Sequence, residues 1–203
     1  MREIRYDEVF DAQKHFRSLL DSMARPGRIS VLDTVPLGAP PGLNASSALI
    51  AFALLDADST FEVIDMTSGE ADYLAANTSA SRADTAHANF VFARGSETAD
   101  FLEEADGGTL AWPDTSATVV LQIGSASPEA LPSGLRLTLE GPGIDGARTL
   151  HVAGLSENIL LALQVRNAEF PMGLDTVLTF SDDAGNPALA CLPRTTRVTW
   201  QRY

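Results

Sequence analysis

Two groups of polar residues near the carboxyl end of the chain have the side chains needed to bind an anion. Asp175 closes the motif Phe-Pro-Met-Gly-Leu-Asp, and a second group follows an apolar run: Arg194, Thr195 and Thr196. A guanidinium binds a phosphate or phosphonate through two parallel hydrogen bonds, and neighbouring hydroxyls add to them. These residues therefore predict an anion-binding site. The structural interpretation is favoured over it, because arginines near sheet edges commonly form ion pairs: Arg194 pairs with an acid such as Asp175, and the threonines start the last strand.

A predicted β-hairpin would bring the two groups together. The apolar runs at residues 176–180 and 188–192 suit strands, and the spacer between them is rich in turn formers. Because antiparallel strands place the entry and the exit of a hairpin at the same edge of a sheet, we expect both groups to cluster there with Gly173. Arg25, just before a Pro-Gly stop at the end of the first predicted helix, is a weaker candidate of the same kind.

Few other residues suggest chemistry. The three histidines, His15, His87 and His151, fall in different predicted elements, and no histidine or cysteine pair has the spacing of metal ligands. The single cysteine, Cys191, lies in a predicted strand and is expected to be a small buried residue. No nucleophile stands beside a recognisable base. We therefore predict neither a metal site nor catalytic residues.

The composition excludes several classes of protein. The chain has 203 residues, and we expect one domain over residues 1–203. It carries 14 basic and 27 acidic residues, a net charge of −13, without a basic cluster, which disfavours a nucleic-acid partner. No apolar run approaches the roughly 18 residues of a membrane helix, and the first residues lack an apolar signal core. We expect a cytoplasmic protein with no membrane partner.

The apolar pattern along the chain predicts an α/β fold. A first helix over residues 7–23 has Asp7 or Asp11 as a cap, and its apolar residues share one face: Val9, Phe16, Leu19, Leu20 and Met23. Other helices are predicted over residues 44–55, 70–76, 97–104 and 156–165, and strands over residues 29–32, 60–66, 89–93, 118–123, 135–139, 149–152 and 197–200. Because helices and strands alternate at first and strands dominate later, we predict a mixed sheet with helices on both faces.

Five segments resemble, in order, those of one protein family. They are residues 10–27, 139–144, 158–170, 170–175 and 192–197. The family is the H subunit of the bacterial carbon–phosphorus lyase system, which breaks down organic phosphonates. The resemblance implies a three-layer αβα fold with a mixed β-sheet, similar to a reduced large domain of pyridoxal-phosphate-dependent transferases. We expect no cofactor, because a Schiff base needs a desolvated lysine and the only lysine, Lys14, lies on the polar face of the first helix.

The resemblance also implies partners. The chain would act with the G, I and J subunits of the carbon–phosphorus lyase core complex and form a homodimer when isolated. In that system the G, H and I subunits, with the L protein, are associated with the displacement of adenine from ATP by an alkylphosphonate, which yields a ribose 1-alkylphosphonate 5-triphosphate. We expect this chain to bind partner subunits and to catalyse nothing alone. The alternative is an independent enzyme or binder that holds a phosphonate or nucleotide near Arg194, Thr195 and Thr196.

Overall fold

Two β-sheets carry the fold in the computed structural model of the chain, which describes residues 5–65, 68–96 and 98–203. The strands are, in chain order, β1 (Ser30–Val31), β2 (Thr60–Val63), β3 (Ser81–Arg82), β4 (Phe90–Arg94), β5 (Thr118–Gln122), β6 (Ser125–Ser127), β7 (Leu135–Glu140), β8 (Arg148–Ala153), β9 (Asp175–Ser181), β10 (Pro187–Leu192) and β11 (Arg197–Arg202). The helices are α1 (Phe10–Ala24), α2 (Ala45–Leu54), α3 (Ser68–Thr78), α4 (Phe101–Glu104) and α5 (Glu157–Arg166). The predicted helix over residues 97–104 is observed only as α4, and Glu97 lies outside the described residues.

The larger sheet is mixed and has the strand order β1-β10-β9-β5-β4-β2-β3. Five neighbouring strands, from β9 to β3, run parallel, whereas β10 is antiparallel to β9 and β1 is antiparallel to β10. Strands β9 and β10 form the predicted hairpin, with Thr176 opposite Leu192 and Ser181 opposite Pro187. The prediction of an α/β fold with a mixed sheet is confirmed.

A second, antiparallel sheet has the strand order β11-β7-β8-β6. Helices α1 to α3 cover one face of the larger sheet, and this second sheet covers the other face together with α4 and α5. Helices therefore lie on both faces, as predicted, but the prediction did not include a second sheet, which shares the second face with α4 and α5. The physical reason lies in the alternation of β7, where Leu135, Leu137 and Leu139 are buried between outward-facing residues, as in a sheet with one buried face.

Successive side chains of the central strands point to opposite faces of the larger sheet, so the hydrophobic core has a part on each face. Val120 and Val177 pack with the helices α1 to α3, while Val119, Leu121 and Leu178 pack towards the second sheet. All five side chains are buried. The strands that carry the candidate site are thus held on both sides by the core.

The apolar residues predicted to share one face of α1, which we call its apolar stripe, are mostly exposed to solvent. Of that stripe only Leu19 is buried, and Met23 is partly buried. The exposed members are Val9, Phe16 and Leu20. Most of the apolar stripe therefore does not pack on this chain's core, and two polar residues of α1 are buried instead.

Hydrogen bonds explain why α1 buries His15 and Ser22. The His15 ring lies 2.9 Å from the Asp33 carbonyl oxygen through Nε2 and 3.1 Å from the Tyr6 hydroxyl through Nδ1. Ser22 Oγ donates to Ser30 Oγ at 2.7 Å. Because each polar group finds a partner, its burial costs little free energy.

Polar side chains cap the amino ends of α2 and α5. Asn44 Oδ1 accepts the N–H of Ser47 at 2.7 Å, and Ser156 Oγ accepts the N–H of Asn158 at 3.2 Å. Within the three described ranges, no helix combines the length and the apolar character needed to cross a membrane.

Candidate functional site

The two predicted groups meet at one edge of the larger sheet, as the hairpin predicted. Asp175 is the first residue of β9, and Arg194 lies two residues beyond β10. Asp175 Oδ1 accepts the backbone N–H of Arg194 at 2.8 Å, and Oδ2 lies 2.7 Å from Nη2 and 3.3 Å from Nε of the same arginine. The side chains of Arg194 and Asp175 are 13% and 27% exposed, so solvent screens this ion pair only in part.

Arg194 also fastens two loops to this edge. Its Nη1 donates to the carbonyl oxygens of Pro113 at 2.8 Å and Pro171 at 3.3 Å, and its Nη2 donates to the Ser116 hydroxyl. A guanidinium has five N–H groups, and the bonds to Asp175, Pro113, Pro171 and Ser116 occupy all five. Arg194 has no free donor for an anion, so the geometry agrees with the structural role that the sequence favoured.

Gly173 lets the chain pass close to the carboxyl end of α5. Its φ is 138°, and a Cβ atom at this position would lie 2.4 Å from Asn167 Oδ1. The Asn167 side-chain amide instead makes two hydrogen bonds to Leu174, the residue after Gly173. Its Oδ1 accepts the N–H of Leu174 at 2.8 Å, and its Nδ2 donates to the Leu174 carbonyl oxygen at 3.3 Å. The end of α5 is thereby joined to the start of β9.

A cavity of about 560 Å³ opens between α5 and the segment that joins β10 to β11. We refer to it as the α5 cavity. Its walls include three buried apolar side chains, Leu160, Leu163 and Leu192. The predicted residues Arg194, Thr195 and Thr196 also line it. Its volume falls within the range of roughly 300–1,000 Å³ that small-molecule sites occupy.

Two buried hydroxyls of the α5 cavity have no hydrogen-bond partner among the described residues. Thr176 and Thr196 are 1% and 7% exposed, and both line the cavity. Such a group costs about 1–3 kcal/mol unless something bonds to it. The sequence pointed to Thr196 but not to Thr176, because a threonine within an apolar strand is an ordinary strand residue.

Arg25, the remaining predicted residue, lies away from the α5 cavity. Its guanidinium pairs with Asp21, one helical turn earlier, and both side chains are exposed to solvent. Only its backbone is tied to the second sheet, through a hydrogen bond of 3.2 Å from Arg148 to the Arg25 carbonyl oxygen. The structure therefore does not bring Arg25 together with Arg194.

Lys14 and Cys191, two reactive side chains among the described residues, are not part of a site. Lys14 is exposed, and its Nζ lies 3.4 Å from Asp33 Oδ2. Cys191 is buried, as predicted, and burial raises the pKa of its thiol, which keeps the sulfur protonated. Across residues 5–65, 68–96 and 98–203, no group of three or more His, Cys, Asp or Glu side chains is placed to hold a metal ion.

Comparison with known proteins identifies the family. The family model for the bacterial phosphonate metabolism protein PhnH matches residues 5–199. A Rhizobium meliloti (strain 1021) protein, alpha-D-ribose 1-methylphosphonate 5-triphosphate synthase subunit PhnH, is 35% identical over 196 residues, which cover 95% of this chain and 92% of that protein. A Stutzerimonas stutzeri protein named "Putative C-P lyase subunit protein HtxG" is 29% identical over 190 residues, 92% of this chain and 85% of its own. The chain belongs to the PhnH family of bacterial phosphonate metabolism proteins.

Proposed function

We propose that this chain, as one domain over residues 1–203, is the H subunit of a carbon–phosphorus lyase core complex and serves phosphonate breakdown by binding the G, I and J subunits. Two observations support the proposal: the family match, and a relative named as a subunit of ribose 1-methylphosphonate 5-triphosphate synthase. The complex would form a ribose 1-alkylphosphonate 5-triphosphate from ATP and an alkylphosphonate. The chain would be required for that reaction and would catalyse nothing alone.

The structural observation that carries the proposed binding of partner subunits is the exposed apolar face at the start of α1. It consists of four residues, which we term the α1 face: Val9 (68% exposed), Phe10 (68%), Phe16 (42%) and Leu20 (51%). Val9, Phe16 and Leu20 recur at intervals of seven and four residues, which places them along one side of a helix. Large apolar side chains grouped on a surface favour a protein partner, since covering them removes apolar area from water.

The remaining side of α1 already packs within the chain, so the α1 face is available to a second protein. Leu19 of α1 is buried with the core residues of α2 and of β10. The helix is thus fixed on its inner side and presents apolar residues on its outer side. We propose that a partner subunit covers the α1 face in the complex, and that a second copy of the chain covers it in an isolated homodimer.

The alternative, an independent enzyme that grips a phosphonate or nucleotide through Arg194, has less support. The donors of Arg194 are occupied by Asp175, Ser116 and two carbonyl oxygens. The likeness of the fold to the large domain of pyridoxal-phosphate-dependent transferases stays part of the proposal and rests on the family resemblance alone.

A charge placed on the α1 face tests the proposal. We expect Phe16→Asp combined with Leu20→Asp to abolish co-purification with a tagged G subunit, because the partner would have to bury two carboxylates. The isolated variant should still fold, because both side chains are exposed within a single chain, but it should be a monomer where the native chain is a dimer. The matched control is Leu161→Asp on α5, a leucine that is 50% exposed, close to the 51% of Leu20.

The control decides between outcomes. Loss of co-purification in the α1 variant alone supports the proposed partner face. Loss in the Leu161→Asp variant alone, with normal co-purification of the α1 variant, would contradict it.

A further inference from the structure

We infer that the surface at the carboxyl end of α5 binds a positively charged, apolar segment of a protein partner. This is a second interaction surface, because α5 covers the face of the larger sheet opposite the one that α1 covers. The inference therefore goes beyond the proposed function, which uses the α1 face. Three features support it: exposed apolar side chains on two joined segments, an apolar pocket beside them, and a neighbouring group of unpaired carboxylates.

The first feature is a group of three large apolar side chains that are exposed to solvent. We term them the Trp112 platform: Leu110 (73% exposed), Trp112 (66%) and Phe170 (66%). Neither part of the hydrophobic core includes any of the three. Because aromatic side chains are enriched in the buried centres of protein interfaces, an exposed tryptophan and phenylalanine on one surface favour a protein partner.

Hydrogen bonds hold the two segments that carry the platform next to each other. Arg194 Nη1 donates to the carbonyl oxygens of Pro113 at 2.8 Å and Pro171 at 3.3 Å. These prolines directly follow Trp112 and Phe170 in the chain. The platform is therefore one surface that the fold has already ordered, and a partner can bind it without the free-energy cost of ordering two loops.

The second feature is the α5 cavity, which Phe170 also lines. Three buried leucines form part of its apolar wall: Leu160, Leu163 and Leu192. Its volume of about 560 Å³ leaves room for a large apolar side chain. Side chains that fill such pockets contribute most of the binding energy of protein interfaces. We expect a partner to place one apolar residue in the α5 cavity while neighbouring residues cover the platform.

The third feature is a neighbouring cavity of about 660 Å³, which we term the acidic groove. Ala168 lines both cavities, and Gly108, two residues before Leu110, also lines the groove. Four carboxylates in its lining have no ion-pair partner among the described residues: Glu103, Glu104, Asp106 and Glu169. Like charges in one groove repel each other, and a cationic partner would remove that repulsion.

The charge of the groove determines which kind of partner fits. A second copy of this chain, with a net charge of −13, would bring further negative charge against it. A nucleic acid or an anionic membrane would be repelled for the same reason. We therefore assign the surface to a different protein, through a segment that carries lysine or arginine beside large apolar residues.

Isothermal titration calorimetry of the isolated chain tests the inference, with a synthetic peptide of alternating lysine and leucine as the probe. We expect this peptide to bind at least about tenfold more tightly than a peptide of alternating lysine and serine, because its leucines cover apolar surface. A peptide of alternating glutamate and leucine should not bind. The affinity of the lysine–leucine peptide should fall as the ionic strength rises.

Substitutions on the platform locate the binding. We expect Trp112→Ala and Phe170→Ala each to weaken binding of the lysine–leucine peptide by about tenfold, since each removes an aromatic contact. The matched control is Val31→Ala, at a valine of β1 that is also exposed but lines neither cavity, and it should leave the affinity unchanged. Circular dichroism of each variant confirms that it is folded.

Substitutions in the groove test the role of charge. We expect Glu104→Lys combined with Glu169→Lys to weaken binding by about tenfold, because two attractive charges become repulsive. The matched control is Asp58→Lys combined with Asp183→Lys, which changes the net charge equally at two exposed aspartates outside the groove. It should change the affinity by less than about twofold, since salt screens distant charges.

Three results would overturn the inference: no heat of binding for the lysine–leucine peptide, equal affinity for the lysine–serine peptide, or platform and groove variants that bind as the native chain does. The test is independent of subunit assembly. A chain that co-purifies with its partners but binds no peptide would refute only the inference, and a chain that binds the peptide but stays alone would refute only the proposed function.

Discussion

Arg194 holds four segments of the chain together, and its removal should therefore cost stability. Replacing it with alanine keeps the backbone N–H that Asp175 Oδ1 accepts but leaves Asp175 Oδ2 and the Ser116 hydroxyl without the guanidinium. We predict that Arg194→Ala lowers the free energy of unfolding by roughly 2–4 kcal/mol, measured by urea denaturation. Arg136→Ala, at an exposed arginine, should change it by less than about 0.5 kcal/mol. An unchanged unfolding free energy for Arg194→Ala would contradict the structural role.

The threonines of β9 should respond to the same substitution in opposite directions. Thr179→Val removes a hydroxyl that bonds to Ser47 and Leu121, so it should lower the unfolding free energy by about 1–3 kcal/mol. Thr176→Val removes a buried hydroxyl that has no partner among the described residues, so stability should stay the same or rise by about 1 kcal/mol. Chemical denaturation of both variants measures the difference. A clear loss of stability in Thr176→Val would show that its hydroxyl is bonded.

The pairing of Arg194 with Asp175 could be predicted from the sequence, whereas the other contacts of Arg194 could not. The pair follows from hairpin geometry, because the two ends of an antiparallel hairpin are neighbours. Ser116 and Pro113 lie about eighty positions before Arg194, in a loop whose position depends on the whole fold. Nothing in their local sequence signals that contact.

Among the elements, α1 depends on Asp7 for its start. Asp7 Oδ1 accepts the N–H groups of Phe10 at 2.8 Å and Val9 at 2.9 Å, and Asp11 in turn accepts the N–H of Asp7 at 3.1 Å. The hydrogen bond from Phe10, then that from Val9, lowers the pKa of the Asp7 carboxyl. Both aspartates that the sequence offered as caps are thus used.

This capping predicts a pH dependence. Because the folded-state pKa of Asp7 is lowered, its stabilisation is present above the unfolded-state pKa and is lost as the pH falls through the folded-state value. We predict that Asp7→Ala lowers the thermal midpoint at pH 7, and that the difference from the native chain shrinks as the pH falls below about 3.9. Asp7→Asn, which keeps an acceptor, should lose less at pH 7. A difference that persists unchanged at low pH would contradict this account.

The exposed stripe of α1 shows what periodicity can and cannot predict. The spacing of Val9, Phe16 and Leu20 located a helix and an apolar side, and the helix is present. Periodicity does not say whether the apolar side packs on the same chain or on another. Here the buried side is chosen by the hydrogen bonds of His15 and Ser22, which no apolar pattern reveals.

For the whole molecule, the sequence predicted the class of the fold but not its division into two sheets. The alternation of helices and strands indicated a mixed α/β protein, and the longest strands were located within one or two residues of their observed bounds. Whether β7, β8 and β11 join the edge of the first sheet or form their own depends on packing between distant segments. The alternation of β7 indicates a strand with one buried face, but it does not identify the sheet to which that strand belongs.

The central claim is that this chain works as a subunit. Native mass spectrometry of the chain co-expressed with the G, I and J subunits from the same genome tests it most directly. We expect a complex that contains this chain at a fixed stoichiometry, together with a homodimer when the chain is expressed alone. A complex of the other three subunits that forms without this chain, while the chain remains free in the same sample, would contradict the account.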